Sequence, residues 1–122
     1  MSRHPIVHIE ISASDRKATA HFYHELFGWE MRHIEEMDYT TFASGEGEVG
    51  GGLNPVSASN PPGTVLIYIN TDNLEETLRQ VERLGGKIVS SKMMIPGVGN
   101  FAVFSNPTGN HIALLEPIME SS

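Results

Sequence analysis

The strongest constraint on what this chain can fold into is a pattern it carries twice. Residues 6–30 read IVHIEISASDRKATAHFYHELFGWE, and residues 65–87 read VLIYINTDNLEETLRQVERLGGK. Each run is an apolar strand, an Asp, a stretch of helical periodicity and a glycine. Asp15 and Gly28 recur 57 positions later as Asp72 and Gly85. A module used twice buries what neither copy buries alone, and it tends to place a site in the cleft between the copies.

The local signals within each copy are distinct. Val7, Ile9 and Ile11 alternate with His8 and Glu10, the period-2 signature of a half-buried strand, so His8 and Glu10 share the face turned away from the helices. Ser12 or Ser14 can cap the following helix, with Asp15 near its positive end. Ala20, Tyr23 and Phe27 recur at helical spacing, with Phe22 and Leu26 widening the stripe. Gly28 suits a left-handed C-cap. Residues 29–34, 39–43 and 47–53 read as three strands, the last made pliable or bulged by its glycines.

Asn54–Gly63 is linker-like in its Pro, Ser and Asn content. The second copy then offers a strand at 65–69, a Thr71/Asp72 cap, and a helix carrying Leu74, Leu78, Val81 and Leu84. Strands follow at 87–91, 100–105 and 111–116, with a turn at Asn106–Gly109. Met93–Gly99, apolar but full of breakers, reads as a mobile loop. Each half is βαβββ.

Composition closes off several function classes. The 122 residues fit one domain, spanning 1–122, with module one at about 5–54 and module two at about 63–118. A net charge of −7 disfavours nucleic acid and anionic membrane surfaces. No apolar run reaches the roughly 18–20 residues of a membrane span, and the N-terminus lacks a signal-peptide core. The expected location is cytoplasmic. With no cysteine there is neither thiol catalysis nor a thiolate metal site. Gly50–Gly52 lacks the Lys-Ser/Thr of a phosphate loop, and Glu35–Asp38 reads as a solvated turn.

Two βαβββ modules, the early Phe22-Tyr23 and Phe27-Gly28-Trp29, and the late FAVFSNPTGNHIALLE together resemble the vicinal oxygen chelate superfamily of glyoxalases, bleomycin-resistance proteins and extradiol dioxygenases. The resemblance spans essentially the whole chain. It implies an α+β fold in which two tandem βαβββ modules form curled mixed sheets around a cup-shaped cleft, commonly in a homodimer. Metal-dependent members take ligands from the first and last strands of each module, and a divalent ion wants three or four converging His and carboxylate groups. His8 stands at the expected first-strand position, but Gly50–Leu53 offers no donor and Leu66 fills the second module's first-strand position. Four residues after Gly109 stands Ala113 where a Glu is expected. Glu116 lies three further on, and an odd shift reverses the face of a regular strand. The expectation is therefore no cofactor and no metal site of the usual kind.

The expected function is a small-molecule-binding protein of this superfamily. One alternative is a lyase, isomerase or dioxygenase-type enzyme using His8 and Glu10, with or without a rearranged metal site. Another is a non-catalytic dimerising module. His8 and Glu10 are either a proton-transfer pair or a hydrogen-bonded pair at a dimer contact or sheet edge. Trp29, Phe42, Leu66, Tyr68, Met94, Phe101, His111 and Ala113 are the candidates for an apolar ligand-lining wall. His4, His21, His24 and His33 read as terminal or surface residues.

Overall fold

The computed structural model describes residues 4–118. They form two compact units, Val7–Leu66 and a second of residues 4–6 with 67–118. The chain order is β1 (Ile6–Ala13), α1 (Arg16–Phe27), β2 (Glu30–Ile34), a 3₁₀ turn (Glu35–Met37), β3 (Tyr39–Ala43) and β4 (Gly51–Pro55). Then come β5 (Val65–Asn70), α2 (Leu74–Arg83), β6 (Lys87–Ile95), β7 (Gly99–Ser105) and β8 (His111–Pro117). This is the α+β, twice-repeated βαβββ arrangement expected from the sequence.

In the first unit the strands lie in the order β2-β3-β4-β1, with β1 and β4 parallel and the other pairs antiparallel. In the second the order is β5-β8-β7-β6, and β5 and β8 are the parallel pair. Parallel neighbours need a long crossover, which each module supplies as a helix and two strands.

The helix starts are capped locally. Asp15 Oδ1 accepts from Ala18 N at 3.0 Å, and Gly28 closes α1 at φ 74°. The second cap is Asn73, one residue beyond the expected Thr71/Asp72, and its Oδ1 accepts from Glu76 N at 3.1 Å. Thr71 is buried instead, its hydroxyl 2.8 Å from that of Thr77. The Asn106–Gly109 turn is held by Asn106 Oδ1, which accepts from the backbone N–H groups of Thr108, Gly109 and Asn110. The acidic turn also does more than meet solvent. Asp38 sits at φ 47° and pairs with Arg16 Nη2 at 2.7 Å.

Each core lies between a helix and one sheet face. Ala13, Phe42 and Leu53 are buried in the first, joined by Ile9, Ile11, Ala20, Trp29 and Met31. Leu74, Leu78, Ala102 and Leu114 form the second, with Ile69 and Phe104. The alternation in β1 therefore reads correctly for Ile9 and Ile11. The widened stripe on α1 does not: Phe22, Leu26 and Phe27 are each 57% exposed. Those positions carry the apolar surface around the helix to its outer side. Met93–Gly99 is likewise not a loop. β6 runs on to Ile95 through two register shifts and turns directly into β7, because Met93 and Met94 continue an extended β-rich run that Pro96-Gly97 merely reverses.

The expected bulge at the glycine run is a pair of close approaches instead. A Cβ on Gly51 would lie 1.8 Å from the Ile9 carbonyl oxygen and 2.7 Å from Phe42 Cζ. Gly51→Ala should therefore cost at least about 2 kcal/mol by overpacking, read as a fall in the urea midpoint at unchanged m. An unchanged midpoint would refute the close approach.

Glu116 shows what the odd register shift does. Its Oε2 accepts from Leu74 N at 2.9 Å and its Oε1 from Asn100 Nδ2 at 3.0 Å, on the side of α2. The Leu74 N–H foremost, then the Asn100 amide, hold this carboxyl below its ordinary 4.5, with partial burial opposing. Because the folded value is depressed, the contribution is complete above 4.5 and is lost as pH falls through the folded value. Glu116→Gln keeps an acceptor but loses charge at a helix N-terminus, so it should cost about 0.5 kcal/mol at neutral pH. That difference should vanish in acid denaturation series.

Candidate functional site

The face of the first sheet opposite α1 carries a closed polar cluster. Strand alternation sends Ile9, Ile11 and Ala13 to the core and leaves His8 and Glu10 on the other side. The parallel register pairs Glu10 with Gly52 and Ser12 with Asn54, so Asn54 joins Glu10's face. The antiparallel register pairs Thr41 with Gly52, which places Tyr39, two residues away, there as well. Tyr39 can lie flat because Gly52 has no side chain: a Cβ there would be 1.7 Å from the phenol oxygen.

The Tyr39 hydroxyl donates to Glu10 Oε2 at 3.0 Å, and His8 Nε2 lies 3.0 Å from the same hydroxyl. Asn54 Nδ2 donates to Glu10 Oε1 at 3.3 Å. The linker-like segment braces this end, since Asn60 Nδ2 donates to the carbonyls of Asn54 at 3.3 Å and Pro55 at 2.8 Å. Both Glu10 oxygens thus accept hydrogen bonds from neutral donors. Burial pushes the His8 imidazole below its ordinary 6.5, and the charge of Glu10 partly offsets this. A neutral imidazole, a phenol and a carboxylate in one hydrogen-bonded line can orient a polar ligand or pass a proton.

His8 and Glu10 are brought together as their spacing implies. The spacing in the sequence does not single out Tyr39 and Asn54. The available signal was the glycine opposite Thr41, since a strand glycine marks close approach of another group. Trp29 and Phe42 do not line this face. They stack on each other in the core, with ring centroids 4.7 Å apart and 11° between planes, and Phe42 covers Gly51. Even numbering along β3 puts Phe42 on the helix side.

In the second unit, Tyr68 pairs with Ala113, Phe101 with Leu115, and Val103 with Ala113, so these side chains share the face opposite α2. Leu66, the last residue of the first unit, has the parity of Tyr68 on β5 and is half-buried, while His111 has that of Ala113 and is exposed at the strand start. Met94 has the other parity, opposite Asn100, and is 73% exposed. The face holds apolar side chains with Tyr68 and Asn70 as polar members. Three of the remaining histidines are engaged: His4 Nδ1 lies 3.0 Å from the Asn70 carbonyl oxygen, His24 Nδ1 lies 2.8 Å from the Trp29 carbonyl oxygen, and His33 Nδ1 lies 2.9 Å from Thr40 Oγ1.

The residues present do not fit the metal site that the fold implies. Among the described residues no group of three or more His, Asp and Glu side chains is placed to hold an ion. Ala113 is fully buried, Gly52 faces Glu10, and Glu116 is turned to α2. Nor is any described helix long and apolar enough to cross a membrane.

Fold, repeat and strand pairing together describe one class of protein. Residues 5–114 match the Glyoxalase/Bleomycin resistance protein/Dioxygenase superfamily, and the chain belongs to it. Among individual relatives, it is 28% identical to the anthracycline biosynthesis protein DnrV of Streptomyces peucetius over 86% of its own length, but spans only 44% of that protein. It is 32% identical to a glyoxylase-like domain-containing protein of Didymella fabae, over 87% of this chain and 88% of that one. Methylmalonyl-CoA epimerase of Mycobacterium tuberculosis superposes with a TM-score of 0.69 at 13% identity, covering 93% and 88% of the two chains, a likeness of fold alone.

The cluster makes a titration prediction. His8 should titrate below 6.5, and Glu10→Gln should lower it further by removing a charge that opposes the effect of burial. Stability linked to His8 should be intact above 6.5 and fall as pH drops from 6.5 to its lower folded value, because over that range the unfolded chain binds a proton the folded chain refuses. NMR titration of the imidazole carbon-bound protons gives both values. A His8 value at or above 6.5, or one unmoved by Glu10→Gln, would refute this account of a buried ring coupled to Glu10.

Proposed function

We propose that the chain is a small-molecule-binding member of this superfamily whose first module recognises its ligand through His8, Tyr39 and Glu10, without a divalent ion. The observation that carries the reading is the closed cluster itself: the one side chain at a family ligand position, His8, has its Nε2 engaged by the Tyr39 hydroxyl at 3.0 Å. Polar groups fixed on an otherwise apolar framework are what orient a small ligand. The relationship to an anthracycline biosynthesis protein supports a planar, polycyclic phenolic ligand. Titration with an anthracycline, followed by quenching of its fluorescence, should saturate at one equivalent per site. Tyr39→Phe should weaken binding about 3- to 10-fold, the worth of one neutral hydrogen bond. Absence of saturable binding, or a stoichiometric divalent ion found by elemental analysis, would sink the reading.

A second reading, an acid–base catalyst, is favoured by the burial that keeps His8 neutral while bonded to a phenol. It requires chemical conversion of the bound probe. That conversion should disappear in His8→Ala while binding persists.

A further inference from the structure

The geometry points to Tyr39 as the positioning residue that fixes the tautomer of His8: it places the ring proton on Nε2, withdraws that nitrogen from metal coordination, and leaves Nδ1 as the ring's sole acceptor atom. The inference deepens the reading above and rests on it for its functional meaning. The argument is one of proton count. A phenol has a single hydrogen to give. Glu10 Oε1 already accepts from Asn54, and Glu10 Oε2 lies 3.0 Å from the Tyr39 oxygen, a contact between two oxygens that needs the phenol hydrogen between them. The Tyr39 oxygen is therefore an acceptor toward His8, and the 3.0 Å contact to Nε2 needs a hydrogen on Nε2. Neutral imidazole carries one N–H, so its lone pair lies on Nδ1.

Two consequences follow. An ion could use Nε2 only by displacing its proton and breaking its hydrogen bond to Tyr39, so the cluster opposes metal at the one family ligand position this chain retains. Any contact His8 makes as an acceptor passes through Nδ1, and its partner must be a hydrogen-bond donor such as a hydroxyl. Gly52 is part of the same device, because a Cβ 1.7 Å from the phenol oxygen would push the ring out of line without removing any polar group.

The test uses the full chain with ¹⁵N-labelled histidine, at a pH well above 6.5, and long-range ¹H–¹⁵N spectra assigned with His8→Gln. Wild type should show His8 as the Nε2–H tautomer, with that proton protected from solvent exchange. Tyr39→Phe and Gly52→Ala should each lose the protection, with the signals of His33 unmoved as a check on folding. Nickel(II) titration should then broaden the His8 resonances at about 3- to 10-fold lower concentration in Tyr39→Phe than in wild type. An Nδ1–H tautomer in wild type, or equal protection and equal nickel response in the folded variants, would overturn the inference. Failure of anthracycline binding with the tautomer intact would overturn the ligand reading alone.

Discussion

The first unit depends on two missing β-carbons. Gly51 and Gly52 are adjacent on β4 and so face opposite sides of the sheet, and each admits an aromatic ring from β3. Phe42 covers Gly51 on the helix side and Tyr39 covers Gly52 on the other. A glycine inside a strand costs roughly 0.5–1 kcal/mol in backbone freedom, an amount that ring packing offsets on the core side, where Trp29 stacks on Phe42. On the far side the return is positional. With Tyr39 flat against the sheet, its hydroxyl reaches both His8 and Glu10, which sit two residues apart on β1.

The two modules share a topology and differ in what they do with the face away from the helix. The first spends it on imidazole, phenol, carboxylate and carboxamide, each bonded to the next. The second places Ala113, Val103, Phe101 and Leu115 around Tyr68. Duplication fixes the backbone pattern because the parallel pair, β1 with β4 and β5 with β8, recurs with its crossover. It does not fix the side chains, which that backbone merely points outward.

Much of this is legible in the amino-acid sequence. Period-2 alternation assigned Ile9 and Ile11 inward and His8 and Glu10 outward, and the Asp-to-Gly interval marked both helices. What escaped the sequence were relations across strands. Phe42 looks as available for a ligand as Tyr39 until the β3–β4 register shows which face each takes. Helical spacing alone likewise placed Phe22 and Leu26 in a stripe, although only residues on the sheet side of α1, such as Ala20, reach the core. The asparagines were overlooked for a related reason. Asn54 and Asn60 read as linker composition, but they act through bonds to Glu10 and to backbone carbonyls set by the fold.

Parity carries the last step. In a strand, three residues are the difference between two faces, so Glu116 and Ala113 belong to different environments despite their proximity in sequence. Glu116 falls on the α2 side, where the Leu74 N–H at the start of the helix offers a donor, and its carboxylate settles there. A carboxylate committed to a helix N-terminus gains from the aligned peptide dipoles and from a direct hydrogen bond, and leaving would forfeit both. The same acidic side chain that a divalent ion would want on the opposite face is thus held by the helix, while Ala113 fills that face with a methyl group. On the first module's corresponding face, His8 Nε2 meets the Tyr39 phenol, which in turn meets Glu10, so imidazole, phenol and carboxylate stand there in one hydrogen-bonded line.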